Sequence, residues 1–406
     1  MSRALEAAVR EAGGRVRAAL AARFRDLDLA EEAFAEACLA ALPAWAEQGP
    51  PRDPAAWLYT AACRRALDLM RRAKVRAGHR PDPPPPGPTP EDLLLEADQP
   101  IPDERLRLIF VCCHPAVQPE ARAALTVKMV CGLSTAEIAS AFLTSEPTLA
   151  QRLVRAKRKI ADAGVPFEVP GPEAWPERMD AVLSTLEIAY AGAHADAAGA
   201  GERAGLAEEV LRLTAVLAQL APDEPEALAL AATVRFAEAR RPARLDETGA
   251  MVPLDRQDAS LWRADLIAEG ERLLARAAAL NRTGPRQLQA AIHAAHCTRL
   301  RTGRTPWRSV LTLYDALLAF RPDPVVRLNR AVGLAQVAGA EAALKEVEAL
   351  YAPALARWLP YHAARAHLLA EVGRTAEAAD AFAAALALDP APAERLYLER
   401  RRREVA

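Results

Sequence analysis

The sequence predicts an all-α protein: two small helical domains joined by a proline-rich linker, followed by a helical-repeat region. Three observations predict it. Of the 406 residues, 51% are hydrophobic but only 5% aromatic, and the apolar content is dominated by Ala and Leu, which favour helices over strands. The run His79 to Pro90 cannot form a helix or a central strand, because proline supplies no N–H and restricts its predecessor. The stretch Ser134 to Ile160 reads as two capped helices with a tight turn between them, the second carrying cations on one face. A chain of this length has room for two to four domains. The predicted boundaries are 1–77, 78–100 for the linker, 101–165 and 166–406.

The first block, from about residue 3 to 77, shows helical patterns that break at Gly13-Gly14, at Arg25 to Asp28 and at Gln48 to Pro54. Asp28, Glu31, Glu32 and Glu36 recur at helical spacing and form an acidic face suited to a basic partner. Asp53 followed by Pro54 is a cap and first-turn proline. The helix it opens is amphipathic and ends strongly basic, with six cations against one acid from Arg64 to Arg76. Trp57, one turn into that helix, reads as a core residue. The linker is a tether whose reach in polyproline form is on the order of 70 Å at roughly 3.1 Å per residue. Two turns of duplex span about the same distance.

The second block holds a helix around Glu104 to Cys113, another around Pro119 to Val130, and then the paired helices. The first of that pair opens at Ser134, whose hydroxyl can accept from the Glu137 N–H while Glu137 reaches back. The second opens at Ser145, with Glu146 favourable near the positive end of the helix dipole and Pro147 tolerated because it lies in the first turn. Leu149, Leu153, Ala156 and Ile160 form its buried stripe, which turns Thr148, Gln151, Arg152, Arg155 and Lys159 outward. Such a face can pair with purine edges in the major groove while the remaining cations meet phosphates. A solvated basic helix has the same spacing.

After about residue 172 the chain is a long Ala/Leu-rich helical array, read over 177–400 as a compact solenoid. Tyr314 to Pro322 and Phe382 to Pro390 lie two tetratricopeptide periods apart, at about 34 residues each. The last unit is the clearest, with Gly373, Ala378, Phe382, Ala385 and Pro390 at the expected offsets. Helix pairs that cannot bury their faces alone must stack.

Net charge is −1, so the basic character is local, as in a protein with two DNA-facing surfaces. No apolar run is long enough to cross a bilayer, and the segment Met1 to Glu6 lacks the apolar core of a secretion signal. The expected compartment is the cytoplasm. The six cysteines sit in helical patterns rather than at disulfide or zinc spacings. Cys112-Cys113-His114 lacks a second pair at ligand spacing, and no cofactor is expected.

Taken in order, these blocks resemble a bacterial RNA polymerase sigma factor of the extracytoplasmic-function type, in the group with a tetratricopeptide-like C-terminal extension. Asp28 to Leu39 resembles the helix of sigma domain 2 that docks on the polymerase clamp. Asp53 to Arg72 resembles the helix that reads the −10 element. Arg105 to Pro115, Leu125 to Leu133 and the paired helices resemble sigma domain 4, which reads the −35 element and touches the polymerase flap. Asp255-Arg-Gln-Asp-Ala-Ser-Leu-Trp262 resembles a signature of the extended group. The resemblance implies polymerase contacts at Asp28, Glu31, Glu32 and Glu36, and promoter contacts at Arg52, Arg64, Arg65, Arg71, Arg72, Thr148, Gln151, Arg152, Arg155 and Lys159. It implies a regulatory part for Asp255, Asp258 and Trp262, with an unknown ligand or protein as partner of the extension. Arg64 and Ala35 stand where the family commonly has Asn and Gln, and Glu238 precedes Ala-Arg-Arg where the extended group usually has Asp.

Two other readings compete. A one-component helix-turn-helix regulator with a repeat sensor leaves the acidic helix and the −10-like helix unexplained. An enzyme using Asp255, Asp258 and His293 or His296 in a helical pocket lacks any nucleophile, phosphate loop or metal set.

Overall fold

The computed structural model describes residues 3–76, 104–141, 144–171, 173–195, 204–350, 355 and 357–405. The proline-rich tether at 78–100 lies outside the described residues. Those described contain helices and no strand, with a lone antiparallel bridge between Leu245 and Met251. They divide into two compact units, Met1–Gly192 and Ala193–Ala406.

In the first unit α1 (Arg3–Phe24), α2 (Leu27–Gln48) and α3 (Pro54–Arg76) pack on one another. Arg25, at φ +54°, turns the chain between α1 and α2. The Asp26 carboxylate then caps α2 by accepting from the N–H groups of Asp28 and Leu29 at 2.9 and 3.0 Å. Asp53 caps α3 through the Ala56 N–H at 3.0 Å, as its position before proline predicts. Trp57 packs edge-on against Trp45 at 5.5 Å.

The expected break at Gly13-Gly14 does not occur, and α1 runs straight through it. The reason is tertiary. A Cβ at Gly14 would collide with the Val130 carbonyl oxygen, and one at Gly13 would lie 3.2 Å from the Phe34 ring. The glycines allow close approach rather than ending the helix.

The second block supplies α4 (Arg105–Cys112), α5 (Pro119–Thr126), a π turn (Val127–Cys131), α6 (Thr135–Ala141) and α7 (Glu146–Asp162). The helix from Pro119 thus widens into the π turn over its expected last residues. Both α4 and the π turn pack on α1. Arg17, only 6% exposed, donates to the Met129 carbonyl at 3.1 Å and lies 4.7 Å over the Phe34 ring. Gly132, at φ +82°, has room for no Cβ beside that guanidinium. The two blocks therefore share a core. The next helix, α8 (Trp175–Ala195), starts on the same core: Trp175 lies 5.2 Å from Phe110, and Arg178 donates to the Phe110 carbonyl.

The second unit contains α9 (Ala204–Leu220), α10 (Pro225–Ala239), α11 (Ala264–Ala279) and α12 (Pro285–Cys297). It continues with α13 (Trp307–Phe320), α14 (Pro324–Ala338), α15 (Ala340–Ala349), α16 (Leu359–Glu371), α17 (Thr375–Leu386) and α18 (Pro392–Val405). Each packs on its neighbour in sequence, and α10 also packs on α12 and α14 on α16. The centre is α10, buried along nearly its whole length. Gly270 admits the Phe236 ring, which a Cβ would approach to 2.8 Å. Glu226 of α10 accepts from the Arg286 and Gln287 N–H groups, supplying the cap that α12 lacks locally.

The long connection between α10 and α11 is pinned to the C-terminal helix. Asp246 accepts from Thr248 at 2.6 Å and pairs with Arg400 of α18 at 2.9 Å, while the Met251 N–H donates to the Ala393 carbonyl.

Candidate nucleic-acid interface

Ser145 begins the outward-facing helix. Its hydroxyl accepts from the Thr148 N–H at 3.3 Å and is 2.7 Å from the Thr148 hydroxyl. Leu149, Leu153, Ala156 and Ile160 are all buried on α5 and α6, as their spacing predicts. Thr148, Gln151, Arg152, Arg155 and Lys159 are all exposed on the other side of α7. The side chains of four of the five have no ion pair or hydrogen bond among the described residues, so their donors stand ready for another acceptor; the Thr148 side chain alone is engaged in the cap. The partner cap of α6 rests on the Glu137 side chain, which lies outside the described residues.

The cations of the first block separate by position. Arg52 and Arg64 are exposed, as are Arg71 and Arg72 in the last turns of α3. Arg71 sits 3.6 Å from Asp68, an exposed pair worth little. Arg65 lies 3.9 Å from Glu36 on the facing α2.

The four candidate polymerase acids do not form one free face. Asp28 and Glu31 accept from the ammonium of Lys157, on α7, at 2.5 and 2.8 Å, and Glu31 also meets Lys128 at 3.0 Å. The Lys157 side chain is 10% exposed. Burial opposes the charge on Glu31, but the Lys157 hydrogen bond and both ammonium groups outweigh it and hold the carboxyl below its ordinary value. Burial likewise works against Lys157, and its bonds to Asp28 and Glu31 reverse the sign, so its pKa is raised. Glu32 remains exposed.

Lys157 is not among the sequence candidates, although its position is legible. At about 100° per residue it falls roughly 80° to one side of Leu149, with the DNA candidates all on the other side. Its partners are not legible, because Asp28 and Glu31 belong to a distant segment.

Three family models match the chain. Residues 8–76 match sigma-70 region 2, residues 107–160 match sigma-70 region 4, and residues 178–278 match a family of unknown function (DUF6596). An uncharacterized protein of Rhizobium meliloti (strain 1021) is 39% identical over 393 residues, covering 94% of this chain and 90% of that protein. The chain belongs to the sigma-70 family, as an extracytoplasmic-function type with a C-terminal extension. No solved structure matches. In this sigma factor the region 2 match contains α2 and α3, and the region 4 match ends on α7 at Ile160.

Among the extension residues, Asp255 is exposed, and Asp258 caps a short turn by accepting from Ser260 N–H and hydroxyl at 2.9 and 2.7 Å. Trp262 is 5% exposed and packs with Phe236, Leu266 and Ile267, so it is part of the core. Of the pocket set considered for an enzyme, Asp255 and His296 line one cavity, whereas the His293 ring is bonded to Arg240 at 2.8 Å. Cys112 and Cys113 are fully buried, and burial raises both thiols. No metal-binding group of side chains occurs among the described residues, and no helix among them is long and apolar enough to cross a membrane.

Proposed function

We propose that this sigma factor binds core RNA polymerase through α2 and region 4, reads the −35 element with the outward face of α7 and melts the −10 element with α3. The observation that carries the reading is the division of α7 into a buried stripe and a free face holding Gln151, Arg152, Arg155 and Lys159. A recognition helix needs that division, since donors already committed to the protein cannot reach base edges.

The pairing of Asp28 and Glu31 with Lys157 supports a closed resting form. Two of the four acids that the polymerase clamp would take, Asp28 and Glu31, already meet the chain's own helix, so docking exchanges Lys157 for cations of the partner. The exchange lets a polymerase or a regulator shift the balance by binding one form better. The C-terminal region is read as tetratricopeptide-like and as the site of control, supported by the stacking of α13 to α18.

Run-off transcription with purified core polymerase tests the function. A sigma factor restores initiation from a defined start with no other sigma present, whereas a one-component regulator leaves core polymerase silent.

A further inference from the structure

The second unit holds an open cleft of about 370 Å³, lined by the pinned connection at 251–256 and by α12, α13, α14, α16 and α18. That volume lies in the range of small-molecule sites. Its lining is of two kinds. His296 is only 8% exposed and meets the Trp307 ring edge-on at 5.3 Å, and its Nδ1 has no hydrogen-bond partner among the described residues. Burial, with the nearby Arg240 charge, lowers its pKa to about 4, so the ring is neutral. A buried polar atom left unpaired costs free energy that a ligand group can recover.

A second set of lining residues is charged. Asp255, Arg256 and Arg401 all act electrostatically on the His367 and Tyr397 pair, which is joined at 2.6 Å. Glu371 lines the same cavity. Asp255, Arg256 and Glu371 have no side-chain ion pair among the described residues; Arg401 pairs through one terminal nitrogen with Glu404, while its Nε is buried without a partner. Two free carboxylates and two guanidinium groups are suited to a molecule carrying both an ammonium and a carboxylate. The apolar lining residues Leu254, Val332 and Leu368 suit a ring.

The geometry points to a binding site for a small zwitterionic aromatic molecule, of the free aromatic α-amino acid class. Its carboxylate meets Arg256 and Arg401, its ammonium meets Asp255 and Glu371, and its ring lies toward Trp307 with a polar substituent on His296 Nδ1. The Asp255 to Trp262 signature thereby gains a physical role, in which its first two residues form the rim and its last anchors the core beneath. The site stands apart from the transcription reading, because its test reads binding alone.

The test is isothermal titration of the full chain with L-tyrosine and L-tryptophan, beside N-acetyl-L-tyrosine, L-tyrosinamide and L-leucine. At least one of the two aromatic amino acids should bind. The acetylated, amidated and aliphatic probes should each bind about tenfold more weakly or worse, as loss of a charged partner or the ring implies. Arg256→Ala and Glu371→Gln, both at exposed positions, should each weaken binding by about the same factor with the melting temperature of the free protein unchanged. Failure of both aromatic amino acids to bind overturns the proposal. So does equal binding of the acetylated probe, or full affinity in both variants.

Discussion

Gly14 sits within α1, where alanine is ordinarily the better helix former by about 1 kcal/mol. The Val130 carbonyl oxygen, which a methyl group at this position would strike, reverses that preference, since overpacking of this kind costs about 1–3 kcal/mol. Gly14→Ala should therefore lower the melting temperature of the chain, and a raised one would show that the approach is slack. Ser145 is worth about 1 kcal/mol as a cap, so Ser145→Ala should destabilise the chain by that amount in chemical denaturation. Asp246 has its carboxyl lowered to about 2, first by the Thr248 hydroxyl and then, against burial, by Arg400 and backbone N–H groups. A depressed carboxyl contributes stability above its ordinary value of 3.8 that is lost as pH falls toward 2. Melting curves taken across that window should show less acid sensitivity in Asp246→Asn than in the parent. The part played by Gly14 is invisible in the sequence, because a glycine pair looks the same whether it ends a helix or admits a neighbour.

At the scale of the element, α7 is the most legible part of the chain. Its cap, first-turn proline and four-residue buried stripe are all local signals, and each lies where spacing places it. Its second flank is hidden: Lys157 becomes meaningful only when α2, more than a hundred residues earlier, is folded against it. The cavity is equally hidden, because its walls come from segments between Met251 and Arg401 that share no pattern. The free face leads to a quantitative expectation. Arg152→Ala and Arg155→Ala should each weaken binding of the polymerase complex to −35 DNA. If the side chain meets a phosphate, the salt slope of affinity should fall by about one; if it meets a base, discrimination at one position should relax. Binding unchanged in both variants would remove α7 from the interface.

At the scale of the first unit, its two blocks pack on each other through α1, and Lys157 of the second pairs with Asp28 and Glu31 of the first. The ion-pair part of that contact has a pH window set by its members. Glu31, lowered in the fold, contributes above its ordinary 4.5 and is lost as acid protonates it. Lys157, raised, contributes below its ordinary 10.5 and is lost as base removes its proton. The contact should therefore hold through neutrality and loosen at both extremes. Lys157→Ala removes its own bonds to Asp28 and Glu31, leaving Lys128 on Glu31, without touching the acids that polymerase would take. Loss of a charge-assisted hydrogen bond of about 1.5–3 kcal/mol should raise affinity for core polymerase by roughly tenfold or more. The most direct measurement is run-off transcription by core polymerase at limiting sigma, with the parent chain and Lys157→Ala side by side. We expect a transcript from one defined start with both proteins, and more of it with the variant; no transcript from either would contradict the sigma-factor reading itself.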